Sequence, residues 1–396
     1  MKPNIAKISL SGLMALALSV PAFAADNFSL KGSIPGLSDS LKVVLNDVED
    51  PNGEIREIGS AVVSNGAFEL AGELKSPTVC EFSVLKYVPA RQEFMRTFST
   101  RIIAEPGAMT LTSELPFDSL RNVSDDERHV RVTGSEAHSQ FDRYVAAVMD
   151  AELKERDASY LSAKKYFDSN GNEDTIVKYD AIKNAAKADL LKAQREFIAA
   201  HPDYNYSAYL VQRELEKVFT YSADEINAMA DLVKACPDTA RTSTVEKRRK
   251  FALKYALGRQ CPEFEVTHTD GKTSPFASLL TPGKYTFIDF WASWCGPCRS
   301  AIPHVRELNS KYADRLNVFS ISVDETEEPW RKAMDEEKME WMQLHLDAGD
   351  QITKGAQAFF ITTIPRLVLL NDKGEVICST NMPREITACI EAELGK

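Results

Sequence analysis

Cys295 and Cys298, separated by Gly296 and Pro297, stand where the apolar run Phe287-Ile288-Asp289-Phe290-Trp291-Ala292 gives way to a helical pattern that opens near Arg299. A short run rich in aromatic and branched residues reads as a buried strand. Strand, Cys-x-x-Cys and helix in succession place Cys295 at a helix N-terminus. There, free backbone N–H groups and the positive end of the helix dipole favour thiolate over thiol. The thiolate is the nucleophile of disulfide exchange. Two intervening residues leave Cys298 within reach of any mixed disulfide formed on Cys295, so the second sulfur can release it as an internal disulfide. Pro297 suits the first helical turn, where its missing N–H loses no bond.

Other chemistries lack their residues. There is no second Cys-x-x-Cys and no His pair at zinc spacing. Arg299 stands where haem attachment needs His. The segment Asp168-Ser169-Asn170-Gly171-Asn172 fails as a calcium loop, because Glu173 and Tyr179 occupy its sixth and twelfth positions. No glycine motif cradles phosphate. The reading is no cofactor and no metal. A formal net charge of −11 disfavours nucleic acid or anionic lipid as a partner.

The elements that position the cysteines belong to a long chain. At 396 residues, more than one core is expected, and the fold class is multidomain α+β. Residues 1–24 read as a secretory signal: Lys2 and Lys7, an apolar segment from Ile8 to Val20, then Ala22-Phe23-Ala24. Removing it takes two positive charges and moves the net charge to −13. No cysteine at the junction offers a lipid anchor, and no later stretch is apolar enough to span a membrane, so the protein is placed in the periplasm or cell envelope.

Residues 25–134 carry short β runs (Leu41 to Val48, Ala61 to Leu70, Val79 to Leu85, Arg101 to Ala104, Met109 to Thr112, Val130 to Thr133) separated by turn signals at Asp50-Pro51-Asn52-Gly53, Asn65-Gly66 and Pro106-Gly107. An antiparallel β-sandwich is expected. Residues 135–257 turn helical, with apolar faces through Phe141, Tyr144, Val145, Val148 and Met149, through Leu190, Leu191, Gln194, Phe197 and Ile198, and through Ile226, Met229, Leu232 and Val233. Ser135 is placed to cap the first helix, with breaks at Asp168 to Asn172 and His201-Pro202-Asp203. Tyr204, Tyr206 and Tyr209 are read as core. Residues 258–396 hold a lead-in hairpin, a strand, the Cys-x-x-Cys helix, a strand (Val318 to Val323), a charged helix within Asp324 to Trp341, two strands (Leu367 to Leu370, Glu375 to Ser379) and a terminal helix. A strand–helix–strand crossover there implies a mixed sheet.

In Gly258 to Phe264, Asp270-Gly271-Lys272, Trp294-Cys295-Gly296-Pro297-Cys298 and Ile364-Pro365, residues 258–396 resemble the TlpA/ResA-like thiol-disulfide oxidoreductases of the thioredoxin fold. The resemblance implies an α/β thioredoxin-like domain that acts on proteins bearing disulfides or thiols and draws on a membrane electron donor. It implies a cis Ile364–Pro365 bond offering backbone groups to an extended substrate, with Trp294 as apolar rim and Trp291 as floor. Asp289 stands six residues before Cys295, as does the buried carboxylate of thioredoxin, which implies a proton acceptor for Cys298. Ser320 replaces the lysine that accompanies that carboxylate in thioredoxin, and Ala301 replaces a glutamate common in the nearer family. Pro303 is expected to kink the helix. The front segment, from Phe28 to Gly32 through Asn65-Gly66-Ala67-Phe68 to Val132-Thr133-Gly134-Ser135, resembles a β module of unknown role found ahead of thioredoxin domains in exported bacterial proteins.

Cys-Gly-Pro-Cys goes with a reducing couple in that family, which favours a protein-disulfide reductase; a thiol oxidase or isomerase, and a partner-binding envelope protein with a regulatory redox domain, are the alternatives. Five cysteines remain: Cys80, Cys236, Cys261, Cys378 and Cys389. They are read mostly as small buried core residues, with Cys378–Cys389 or Cys236–Cys261 bridges left open.

Overall fold

The structure is a computed structural model that describes residues 27–49, 54–120, 129–169, 172–346 and 350–395. The signal at 1–24, the turn at 50–53 and the centre of the break at 168–172 lie outside the described residues. The chain divides into two compact units, Met1–Met149 and Asp150–Lys396, taken here in turn.

In the first unit β1 (Phe28–Ser33), β2 (Lys42–Asp47), β3 (Arg56–Val62), β4 (Ala67–Gly72), β5 (Thr78–Val88), β6 (Glu93–Ala104), β7 (Gly107–Ser113), a one-turn helix α1 (Phe117–Leu120) and β8 (Val130–Thr133) follow in order. They build two four-stranded sheets, β4-β1-β7-β8 and β3-β2-β5-β6. Alternate residues of both sheets enter one apolar core that includes Leu30, Leu45, Leu70, Phe82 and Leu111, as period-two patterning requires. Asn65 and Gly66 both take positive φ, 53° and 70°, the conformation of a two-residue hairpin turn.

The expectation of an all-antiparallel arrangement is corrected: β1 pairs with β7 in parallel, Phe28 opposite Gly107, so that sheet is mixed. The alternation of apolar residues says which face is buried and nothing of a neighbour's direction. β6 also starts well before the expected Arg101, because its first half is exposed or half-exposed and leaves no burial pattern to read. Where β3 and β4 cross, glycine is required: a Cβ on Gly72 would lie 2.4 Å from the Ile58 carbonyl oxygen, and one on Gly59 2.5 Å from that of Ala71. Helix α2 (Glu136–Asp168) opens after Ser135, whose Oγ accepts the His138 N–H at 2.9 Å, as an N-cap does.

In the second unit α3 (Glu173–Ala200), α4 (Asn205–Glu214), α5 (Ala223–Leu232) and α6 (Thr239–Leu253) pack Ala208, Val211, Leu215, Ile226, Val233 and Val245 together. Ser222 and Glu225 form a capping box on α5, and Asp238 caps α6. Tyr206 and Tyr209 are buried and stack at 5.5 Å. Leu232 is 46% exposed, against expectation: α5 buries Ile226 and Ala230, one turn apart, and its last residue falls off that stripe.

The remainder is a seven-stranded sheet ordered β10-β9-β13-β12-β11-β14-β15, from β9 (Glu265–His268), β10 (Thr273–Pro275), β11 (Tyr285–Trp291), β12 (Leu316–Ser322), β13 (Met342–His345), β14 (Arg366–Leu370) and β15 (Val376–Thr380). The helices are α7 (Gly296–Lys311), α8 (Glu327–Glu337), α9 (Asp350–Ala358) and α10 (Pro383–Leu394). β11 runs parallel to β12 through α7 and antiparallel to β14; β12 and β13 are parallel as well. One sheet face carries Phe287 and Trp291 against Ile302 and Val305 of α7, Trp330 of α8 and Ile386 and Ile390 of α10. The other carries Ile288 and Phe290 against Phe219, Phe264 and Phe359. The sequence reading had placed neither β13 nor α9.

Candidate active site

β11 ends at Trp291 and delivers the chain straight to the start of α7. Cys295 is the N-cap of that helix, and its Sγ accepts the Cys298 N–H at 3.2 Å. Pro297 fills the first turn, as expected of a residue with no N–H to lose. The two sulfurs are joined in a disulfide, with Cα atoms 5.3 Å apart. Both cysteines are buried, Cys295 to 4% exposure and Cys298 to 2%. Around them Trp294 is 70% exposed, and Gly296 and Pro297 are exposed too. Beyond its chain neighbours and its own helix backbone, nothing among the described residues lies within 4 Å of where a Gly296 Cβ would stand. Trp291 is fully buried beneath. Open backbone and an indole thus rim a sheltered sulfur.

The Ile364–Pro365 bond is cis, and Ile364 packs against the apolar cluster that contains Cys295 and Cys298. Pro303 lies inside α7, where it withdraws one intrahelical hydrogen bond.

Asp289 alternates with Phe287 and Trp291 along β11, so its side chain lies on the face covered by α7. It is buried to 4% exposure. Burial raises its carboxyl pKa to about 7, against a hydrogen bond from Ser320 that lowers it. Ser320 is its register partner on β12 and donates to Oδ2 at 3.1 Å; the Trp341 indole N–H in turn donates to Ser320 Oγ at 2.9 Å. With a hydroxyl in place of a lysine, no cation from that position offsets desolvation.

Asp324 belongs to the site and was passed over in the sequence. Its Oδ2 accepts the Ser293 N–H at 2.9 Å and its Oδ1 the Ser293 hydroxyl at 2.7 Å. Ser322 donates to the same carboxylate at 2.8 Å, and His345 Nε2 meets the Asp324 carbonyl oxygen at 2.9 Å. A buried carboxylate therefore ties down the turn between β11 and Cys295. Its signal was topological: β11 and β12 are parallel, so residues just past their ends meet. Arg299 adds a second tie, from α7 to Glu337 and Glu336 of α8 at 2.7 and 2.9 Å. Among the described residues no group of His, Cys, Asp and Glu is arranged to hold a metal, and no helix is long and apolar enough to cross a membrane.

Of the remaining cysteines, Cys80 and Cys236 are buried, whereas Cys261, Cys378 and Cys389 are half-buried, which corrects the reading of mostly buried residues. All five are free thiols, so neither candidate bridge is closed.

A family model described as thioredoxin-like matches residues 283–376, and a domain of unknown function (DUF4369) matches residues 28–141. The thiol-disulfide oxidoreductase ResA of Bacillus cereus is 28% identical over 125 residues, 31% of this chain and 69% of that protein. The thioredoxin of Acidithiobacillus ferridurans is 45% identical over 47 residues, 12% of this chain and 44% of that protein. Among solved structures, a thiol-disulfide oxidoreductase from Bacteroides fragilis is 24% identical with a TM-score of 0.32, covering 34% of this chain and all (100%) of that one. The thioredoxin-like match spans the strand that leads into Cys295, the helix it caps and the cis-proline loop. The chain is a TlpA/ResA-like thioredoxin-fold protein with an extra N-terminal module, an enzyme of the thiol-disulfide oxidoreductase class.

Proposed function

We propose that this enzyme is exported and reduces disulfides in other proteins through its Cys-Gly-Pro-Cys couple. The observation that carries the reading is the Cys295 sulfur capping α7 under an exposed rim of Trp294, Gly296 and Pro297. The Cys295 thiolate attacks one sulfur of a substrate disulfide, forming a mixed disulfide and expelling the first substrate thiolate, which takes up a proton. Cys298 then passes its proton to Asp289 and attacks Cys295 Sγ, and the second substrate thiolate leaves and takes up a proton as Asp289 gives its own back to solvent. The substrate gains two electrons and two protons, and the enzyme is left as the Cys295–Cys298 disulfide. A membrane electron donor restores the dithiol.

Ile364, beside its cis-proline, offers main-chain N–H and C=O groups to the substrate segment. The basic residues, apolar segment and Ala22-Phe23-Ala24 site within 1–24, read as a secretory signal, support a location in the periplasm or cell envelope. The front module at 25–134, read as a sandwich because its two sheets share one core, and the helical connector at 135–257 precede the redox domain at 258–396. In a Cys298→Ala variant the mixed disulfide cannot resolve, so client proteins should stay attached to Cys295 and come off with reductant. A variant that captures nothing refutes the proposal. The reduction potential of the pair sets the direction: a value as oxidising as that of dedicated thiol oxidants would make the enzyme an oxidase or isomerase.

A further inference from the structure

The free cysteines are not equivalent. The Cys80 sulfur lies 3.6 Å from the Thr78 carbonyl oxygen in the front unit, Cys236 sits in the helical core and Cys261 packs on the sheet face away from α7. Cys378 and Cys389, by contrast, pack on one apolar cluster, and each is the strongest influence on the other's thiol. The backbone brings them together. Cys378 lies on the edge strand β15, where the register slips: Leu369 faces Cys378 but Leu370 faces Val376. Ile377 is thus an extra residue, and such bulges re-aim side chains. α10 begins at Pro383, just beyond the end of β15, and folds back on it with Ile386 and Ile390 buried. Cys389 lies beside that stripe, and both thiols border the cluster that holds Cys295 and Cys298.

Charges of both signs lie near the pair. Arg366 on β14 is near enough to favour a Cys378 thiolate, though less than burial opposes it, and its Nε and one Nη have no hydrogen-bond partner. Glu385 acts against ionisation of both thiols, and Glu393 against that of Cys389. Against those carboxylates, the neighbouring Cys378 holds Cys389 below the usual thiol range, and the same contact with burial pushes Cys378 up.

We propose that Cys378 and Cys389 are a second dithiol–disulfide couple, apart from Cys295–Cys298, which a low-molecular-weight disulfide oxidises to tie α10 to β15. The Cys389 thiolate attacks one sulfur of R–S–S–R′; the new Sγ–S–R bond forms as the S–S bond breaks, and R′S⁻ leaves and is protonated. Cys378 loses its proton to solvent, attacks Cys389 Sγ and expels RS⁻, which is protonated in turn. Two thiols are oxidised and one external disulfide is reduced to two thiols. The bridge would anchor a helix that already meets α7 through Lys311–Glu391 at 3.1 Å and His304–Thr387.

The test uses the full chain carrying C295S and C298S, so its outcome does not depend on the reading of the active site. After incubation with oxidised glutathione, free thiols are alkylated and the protein is digested without reductant. Expected are the loss of two of the five remaining thiols and a linked peptide pair containing Cys378 and Cys389, lighter by two hydrogens. With C378S added, a stable glutathione adduct on Cys389 replaces the link. Alkylation of both cysteines to the same extent as Cys80 and Cys236, or a glutathione adduct on Cys389 that persists while Cys378 is intact, overturns the proposal.

Discussion

Ser320 donates to Asp289 across the β11–β12 pairing at 3.1 Å, and burial outweighs that bond, leaving the carboxyl with a pKa near neutrality, about 7. An acid with that value is still protonated in weakly acidic solution and ionises in the range where a resolving thiol must lose its proton. Cys298→Ala trapping tests the exchange itself.

Asp289 should make stability depend on pH in a defined direction. Its folded pKa of about 7 lies above the ordinary 3.8, so its favourable contribution is complete below about pH 4 and is lost as pH rises through 7. At about 1.4 kcal/mol per pKa unit, the shift spans roughly 4 kcal/mol. Asp289→Asn should flatten this dependence in denaturation curves between pH 4 and 8, and be more stable than the parent above pH 8. Resolution of the mixed disulfide should slow by about a hundredfold in the variant; an unchanged rate would remove Asp289 from the mechanism.

Ser320→Ala deletes the bond that lowers the Asp289 pKa. One buried hydrogen bond to a carboxylate is worth about 1.5 kcal/mol, roughly one pKa unit. The carboxyl midpoint, followed by carbonyl infrared absorption, should therefore move up from about 7. A downward movement would contradict the assignment.

Asp324→Ala leaves the Ser293 N–H and hydroxyl and the Ser322 hydroxyl without their acceptor. A loss of about 3 kcal/mol is expected, read from urea unfolding, together with weaker exchange activity because the turn before Cys295 loosens. Arg299→Ala should behave differently. Its pairs with Glu336 and Glu337 lie near the surface, and such pairs are worth at most about 1 kcal/mol.

Gly72→Ala places a methyl group against the Ile58 carbonyl oxygen. Overpacking of this kind costs about 1–3 kcal/mol, and amide exchange in β1 to β8 should accelerate accordingly.

The redox half was legible because its signals are local and directional. An apolar strand empties into two cysteines and a helix, and each piece confines the next. Leu367 to Leu370 and the terminal helix were likewise readable. β13 was missed because its four residues directly follow a charged helix and are too few for their alternation to stand out. The parallel pairing of β1 with β7 joins strands some eighty residues apart, and nothing in either strand names its partner. The role of Asp324 depends on parallel strand ends meeting, a relation that the order of residues does not display. Asp289 was found through its spacing, while the strength of its shift required knowing that a hydroxyl and not an ammonium stands opposite.

The sulfur of Cys295 occupies the station that serine or aspartate usually holds at the beginning of a helix. It follows that alanine at 295 subtracts two things at once, nucleophilicity and about 1 kcal/mol of helix anchoring, whereas serine subtracts the first and keeps an acceptor for the Cys298 N–H. Inactive controls made with serine will thus separate lost chemistry from a frayed scaffold, and those made with alanine will confound them.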